Sequence, residues 1–282
     1  MADLRERISQ IQRAAGFRGI VLAADARQLA GDLGVDIDAL MTMLLPFAAE
    51  YARPPISNFK VGAVSRGLSG NLYYGTNLEF AGEALSFTVH AEQSSATNAW
   101  MNGEEGIDRI AVTAAPCGYC RQFLNELVTA DRLAVAMPNE TCSLAELLPS
   151  AFGPRDLGIE GGLMQHEHHH LEIEDADALA RAALVAADMS YAPYSKSYAG
   201  VALRAREGKI VAGAYAENAA FNPSLSPLEA ALSQLNLAGH AFGEITEALL
   251  VHVDGMHDGA TRTVLGTLPG VTLRTVLAKR AS

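Results

Sequence analysis

Two short runs carry residues whose types and spacing can do chemistry: His90-Ala91-Glu92 and Pro116-Cys117-Gly118-Tyr119-Cys120. An imidazole and two thiols are zinc ligands. Zinc takes nitrogen and sulfur tetrahedrally, so three protein donors leave one position for water, the arrangement of a catalytic site. A Cys-x-x-Cys pair alone is ambiguous between metal binding and redox chemistry, and a redox dithiol would leave the His-x-Glu without a purpose. A structural zinc is the other competitor. It needs a fourth protein ligand, and Cys142 is the only cysteine left to serve. Cys142 lies in PNETCSLAELLP, which reads as another helix start, where a small buried cysteine is the commoner role.

Glu92 separates these readings. Residues i and i+2 diverge inside a regular helix, but at a first turn His90 and Glu92 can border one pocket. The carboxylate then works beside the metal rather than on it. Zinc with two thiolates and a neutral imidazole carries no net charge, so it acidifies water less than a three-histidine site, where the water pKa is about 7. A neighbouring proton acceptor compensates, and Glu92 is expected to accept a proton from the water and deliver it to the substrate and leaving group.

These groups need elements to hold them. FKVGAVSRG and NLYYGTNLEF are short β-type runs punctuated by glycine and read as a hairpin. FTVHAEQSSATNAWM reads as a helix, IAVTAA (110–115) as a strand, CRQFLNELV as a helix and LAVAMP (133–138) as a strand. In the second helix Phe123, Leu124 and Leu127 form one apolar stripe. Both ligand runs therefore open helices, whose N-termini favour thiolates. Strands alternating with helices imply an α/β class, a mixed sheet sandwiched by helices. Residues up to about 50 read as helical, with Asp36 and Asp38 at a helix start, and form a packing layer without chemistry.

The pattern then repeats. Pro55, Ser57 and Gly62 recur as Pro193, Ser195 and Gly200; Gly75 and Glu79 recur as Gly213 and Glu217; Glu92 has Glu229, all at an offset of 137 to 138 residues. The second copy is altered: Pro227 stands where His90 would be, and VDGMHDGATRTVL has no cysteine. The expected organisation is a helical region (1–48), a catalytic domain (49–160), a connector (161–174) and a degenerate non-catalytic copy (175–282), with a helix opening near Asp175. His166, His168, His169 and His170 fall in that connector. Adjacent histidines on an exposed stretch rarely converge on one ion, so a solvated linker is the expectation.

Composition narrows the partners. The chain has 282 residues, 49% hydrophobic, with a net charge of −11. An acidic surface repels phosphate backbones, so a nucleic-acid partner is not expected. The first residues mix acids and bases without an apolar signal-peptide core, and no window approaches the roughly 18 apolar residues of a membrane helix. Three cysteines are too few for a disulfide framework and point to a reducing, cytoplasmic setting.

At TVHAEQ, PCGYCRQF, SNFKVGA, NLEF and LLPSAFGPRDL the chain resembles the cytidine deaminase family, in its homodimeric bacterial type with a catalytic domain and a degenerate second copy. The likeness covers nearly the whole chain. It implies a duplicated cytidine-deaminase-like fold and hydrolytic deamination of cytidine and deoxycytidine in pyrimidine salvage. It further implies zinc on His90, Cys117 and Cys120, proton transfer by Glu92, and substrate contacts from Asn77, Glu79, Phe59 and Ala91. Phe152 would enter the neighbouring subunit's site, making a homodimer part of the architecture. Taken alone, Phe59 and Phe152 are more often core residues. The backbone carbonyl of Ala114 or Ala115 is a further acceptor for the cytosine amino group. Glu126 is a candidate for orienting His90 or Arg121, against the commoner role of a solvated surface carboxylate. A deaminase acting on a nucleotide, a free base or a polynucleotide is the rival within the chemistry. A non-catalytic zinc module is the rival outside it.

Overall fold

The computed structural model describes residues 2–13, 16–174, 176–268 and 270–281. Helices α1 (Ala2–Arg13) and α2 (Ala23–Leu33) flank the short strand β1 (Ile20–Val21), and α3 (Ile37–Ala49) follows. Asp36 caps α3 by accepting from the Ala39 amide at 2.7 Å, as its acidic opening foretold. The hairpin of β2 (Gly62–Gly67) and β3 (Leu72–Thr76) leads into α4 (Ala91–Met101), β4 (Ile107–Val112), α5 (Gly118–Leu124), β5 (Ala134–Ala136), β6 (Thr141–Ser143) and α6 (Leu144–Leu147). After β7 (Leu171–Glu172) come α7 (Ala178–Asp188), β8 (Ala199–Ala205), β9 (Ile210–Ala214), α8 (Pro227–Leu237), β10 (Ile245–His252), α9 (Asp258–Leu265), β11 (Thr272–Leu277) and β12 (Lys279–Arg280). The foreseen helix starts at Ala178, capped by Asp177; Asp175 itself lies outside the described residues.

The repeat in the sequence is a repeat of topology. The two larger sheets have the orders β1-β3-β2-β4-β5-β6 and β11-β10-β8-β9, and β12 pairs with β7 in a small third one. In each of the larger two, an antiparallel hairpin lies beside a strand that pairs antiparallel with it and parallel with the next. The expected class, a mixed sheet with helices on its faces, duplicated, is what the chain adopts.

The repeated glycines show why the copies share this form. A Cβ on Gly62 would lie 2.5 Å from the Leu45 carbonyl oxygen of α3, and one on Gly75 would lie 2.2 Å from the Ala91 oxygen of α4. In the second copy Gly200 meets α7 at 2.3 Å and Gly213 meets α8 at 2.1 Å. Gly62 is one residue from Ala63, the cross-strand partner of Gly75, so the two glycines point to opposite faces of the sheet. The same holds for Gly200 and Gly213. Each sheet is thus clasped by two helices: α3 and α4 on the first, α7 and α8 on the second. The first unit therefore takes in α3, ahead of the boundary expected at residue 49.

Helices α4 and α8 are buried on all sides and pack on each other between the sheets, with Ser94 and Ser233 hydroxyls 2.7 Å apart. Most polar residues of α4 survive burial because they find partners: Ser95 donates to the Tyr73 carbonyl (2.9 Å) and Asn98 to Gly19 and Tyr74 carbonyls (both 3.1 Å), while the Thr97 hydroxyl has none among the described residues. One hydrophobic core, including Trp100, Phe123, Leu124 and Leu127, runs through both copies. A smaller one joins α1, α2 and α3 to the outer face of the first sheet.

The connector is docked at a few residues and exposed over much of the rest. Leu163 and Met164 are buried, and the Leu163 carbonyl and amide bond to the Val128 amide and the Glu126 carbonyl. His169 stacks on Tyr198 with ring centroids 3.6 Å apart, and His168 contacts Asp188 at 2.9 Å. His166, His168 and His170 are exposed. Replacing Gly213 by alanine should push α8 off its sheet and cost about 1–3 kcal/mol. Urea unfolding checks this, and a change below about 0.5 kcal/mol would show that the close approach carries no packing constraint.

Candidate active site

The chemistry-bearing residues converge where α4 and α5 begin. His90 is the N-cap of α4 and Cys117 the N-cap of α5, with Cys120 in the first turn. His90 Nδ1 lies 3.2 Å from Cys120 Sγ and 3.6 Å from Cys117 Sγ, and the two sulfurs are 3.6 Å apart. For zinc bonds of about 2.3 Å to sulfur and 2.0–2.1 Å to nitrogen, a tetrahedron has S···S edges of about 3.8 Å and S···N edges of about 3.6 Å. The three donors already span one face of such a tetrahedron. They form the one group of three potential metal-ligating side chains among the described residues.

Their electrostatics ask for a cation. The hydrogen bonds Cys117 shares with Cys120 and His90 hold its thiol far below the usual range, at about 3. That same bond, together with burial, pushes Cys120 up. Left to itself the pair carries one anionic sulfur and one protonated one; a divalent cation lets both be thiolates. Zinc fits this donor set.

Glu92 is buried at the second position of α4, outside the group of three. Burial raises its pKa, opposed by the nearby Cys120 and His90. Cys142 is half-buried in the edge strand β6 and not at a helix start; Ser143 caps the helix that follows. It stands apart from the group of three, so no fourth protein donor joins them among the described residues.

Asn77 accepts from the Val61 amide and donates to the Phe59 carbonyl, both at 2.9 Å. Glu79 is buried, which works to raise its pKa. Bonds from the Ser57 hydroxyl (2.6 Å), the Ser57 amide (2.9 Å) and the Ile56 amide (2.8 Å) outweigh this and hold it low. Oε2 accepts from both amides, whereas Oε1 accepts only from the hydroxyl and keeps a free lone pair. Ala91 is buried at the first position of α4, while Ala114 and Ala115 form the turn between β4 and Cys117. Phe59 and Phe152 are not core residues: they are 59% and 46% exposed.

Glu126 takes neither role foreseen for it. It is fully buried and accepts from the Tyr194 hydroxyl (2.5 Å), the Tyr191 hydroxyl (2.8 Å) and the Ala219 amide (2.8 Å), all in the second copy. It ties the copies together.

The second copy's helix register also differs from the sequence alignment. The bridge Leu78–Val89 corresponds to Ala216–Leu225, so the loop before α8 is two residues shorter and the offset falls from 138 to 136. Ser226 then matches His90, Pro227 matches Ala91, and Glu229 matches Gln93. Glu229 indeed accepts from the Ser226 amide (3.0 Å) as Gln93 accepts from the His90 amide (3.1 Å). It is a capping carboxylate and not a remnant of Glu92. His257, packed against Tyr215 with ring centroids 4.3 Å apart, caps α9 where a cysteine caps α5.

Gln93 and Tyr119 lie inside the two motifs, but nothing local in the sequence marks their contacts. The 218–224 loop reaches them only through the packing of the copies.

Two family models described as the cytidine and deoxycytidylate deaminase zinc-binding region match residues 36–137 and 144–260. The class is therefore that of zinc-dependent hydrolytic deaminases, with two deaminase units in one chain. The cytidine deaminase of Vibrio parahaemolyticus is 49% identical over 88% of this chain and 84% of its own length. That of Photobacterium profundum is 45% identical over 98% and 96%. The chain belongs to the cytidine deaminase family. Among solved structures, the cytidine deaminase from Burkholderia pseudomallei is 30% identical over 40% of this chain and 98% of its own, with a TM-score of 0.37.

Burial lifts the Glu229 carboxyl to about 7. The folded protein thus prefers it protonated, and the stability this contributes is complete below about pH 4.5 and lost as the pH rises through 7, by roughly 3 kcal/mol. Glu229→Gln should lack that loss. Its stability relative to the parent, followed by chemical unfolding, should rise between pH 5 and pH 8 while zinc content stays the same. A difference that does not change with pH would place the carboxyl in a wetter setting.

Proposed function

We propose that this protein hydrolyses cytidine and deoxycytidine to uridine and deoxyuridine with release of ammonia, serving pyrimidine salvage in the cytoplasm as a homodimer. The observation that carries the reading is the trio of donors at tetrahedral spacing with a buried carboxylate beside it and outside it. His90, Cys117 and Cys120 would hold the zinc. When bound, zinc supplies Lewis-acid activation of water.

The chain's own residues do the rest. Glu92 accepts one proton from the attacking water and delivers it to N3 of the pyrimidine. It then takes the second from the hydroxyl now on C4 and delivers it to the departing 4-amino nitrogen, so that C4 becomes a carbonyl and ammonia leaves. The carbonyl of Ala114 or Ala115 accepts from that amino group. Asn77 and Glu79 have hydrogen-bonding capacity left for the ribose hydroxyls, and Ala91 lines the base from the first turn of α4. Phe59 covers one face of the ring. With Phe59 and Cys117 both exposed, a single chain leaves one side of the pocket open. Exposed Phe152 suits the role of closing the site of a second copy.

The nucleoside is favoured over a nucleotide because a phosphate on the ribose would lie near the anionic Glu79, and over a polynucleotide because of the −11 charge. No helix among the described residues is long and apolar enough to cross a membrane.

Ammonia release from cytidine, compared with dCMP, adenosine and cytosine, tests the substrate. Turnover of dCMP without turnover of cytidine would overturn it. Glu92→Gln should retain zinc and fold while turnover falls about 10²–10⁴-fold; a variant with unimpaired turnover would remove Glu92 from the chemistry. Light scattering should return twice the 29.8 kDa chain mass, and a monomer active at full rate would exclude a shared site.

A further inference from the structure

The silent copy reaches the metal site of its own chain through two consecutive backbone carbonyls. Gln93 accepts from the His90 amide with Oε1 (3.1 Å) and donates from Nε2 to the Pro223 carbonyl (3.1 Å). Tyr119 stacks on the His90 imidazole, ring centroids 5.3 Å apart and planes 28° apart, and its hydroxyl donates to the Asn222 carbonyl (2.7 Å). One residue thus fixes the backbone of His90 and the other its ring. Both are anchored at their far ends to neighbouring peptides of the second copy.

Those peptides are in turn held stiffly. Asn218 Oδ1 accepts from the Ala220 amide (3.0 Å), the Ser224 hydroxyl accepts from the Asn218 amide (2.9 Å), and the Asn222 amide donates to the Ala220 carbonyl (2.8 Å). The loop also grips the catalytic unit beside the site: Asn218 Nδ2 donates to the Gln122 carbonyl of α5 (3.0 Å), and the Ala219 amide donates to buried Glu126 (2.8 Å). This is the loop shortened by two residues relative to its counterpart, which leaves a compact turn where the first copy has a longer excursion.

We propose that the 218–223 loop of the second copy is a positioning clamp for His90, acting through Gln93 and Tyr119. A ligand imidazole must present Nδ1 in a fixed direction, and partners that restrain it tune metal affinity. Tyr119 and Gln93 are positioning residues here; neither is placed among the donors. The degenerate copy then has a function that does not depend on its own lost ligands: it supplies the rigid far wall against which the imidazole is oriented. This inference rests on His90 being a zinc ligand.

The test uses the full-length protein. Tyr119→Phe keeps the stacked ring and removes the bond to Asn222. Gln93→Glu keeps an acceptor for the His90 amide, as Glu229 does for Ser226, and removes the donor to Pro223. Zinc affinity is measured by competition with a chromophoric chelator, and the cobalt-substituted protein is followed through its visible d–d bands, which report ligand geometry. Chemical unfolding monitors the fold. The expected result is that Tyr119→Phe and the double variant weaken zinc binding, by about 10-fold or more in the double variant, and shift the cobalt bands while the unfolding midpoint moves little. Affinity within 2-fold of the parent with unchanged bands would overturn the clamp. So would a loss of affinity that merely follows a loss of global stability. Should Gln93→Glu fail to fold, Tyr119→Phe alone decides, because only a hydroxyl is removed. A parent protein that binds no zinc would overturn the metal reading itself, an outcome distinct from a zinc-binding parent whose variants behave like it.

Discussion

Two helix N-termini must meet so that one imidazole nitrogen and two sulfurs fall within 3.2–3.6 Å of one another, and the remaining architecture can be understood from that demand. Both helices rise from loops that follow strands of one sheet, and both present their N-caps at the same edge. Positive helix ends lower the cost of gathering anionic donors. The gathered thiols still cannot both ionise by themselves, which makes the arrangement a receptor for a divalent cation. Glu92 shares the helix start with His90 but lies outside the donor trio, beside it.

Holding α4 at that place requires that the sheet let it come close. Gly75 permits this on one face and Gly62 permits α3 on the other. The same pair of close approaches, at Gly200 and Gly213, builds the second unit. The duplicated chain is therefore a duplicated solution to one packing problem. The joint between the copies sets polar pairs beside the shared apolar core, and buried polar groups are costly unless they are matched. Ser94 meets Ser233, Arg53 reaches Asn236 and the His240 carbonyl, and Glu126 is enclosed by two tyrosines and an amide. Such matching fixes one relative placement of the units, because a sliding of either would strand buried polar atoms.

That fixed placement gives the altered copy its value. Without the cysteines it retains the fold, and His257 packs on Tyr215 at the N-cap of α9, where the first copy has Cys117 at the N-cap of α5. A rigid body bonded to α4 and α5 can restrain the residues at their starts, and the Asn222 and Pro223 carbonyls are where it does so.

The sequence by itself determined the chemistry and the class of fold. His-x-Glu and Cys-x-x-Cys at helix starts limit what the residues can bind, the alternation of strand and helix limits the layers, and the repeated glycines mark where helices touch sheets. These are local properties, set by residue type and short spacing. Only the tertiary structure decided what depends on contacts between distant segments. It turned Glu126 from a surface or metal-orienting carboxylate into an inter-copy tie, and brought two of the connector histidines, His168 and His169, against the second unit. It also moved Glu229 from the register of Glu92 to that of Gln93, because two residues absent from a loop are invisible until the flanking bridges are paired. Tyr119 and Gln93 lay in plain view within the motifs. Their partners stand about a hundred residues or more away, and no local pattern encodes a contact made by the packing of two domains.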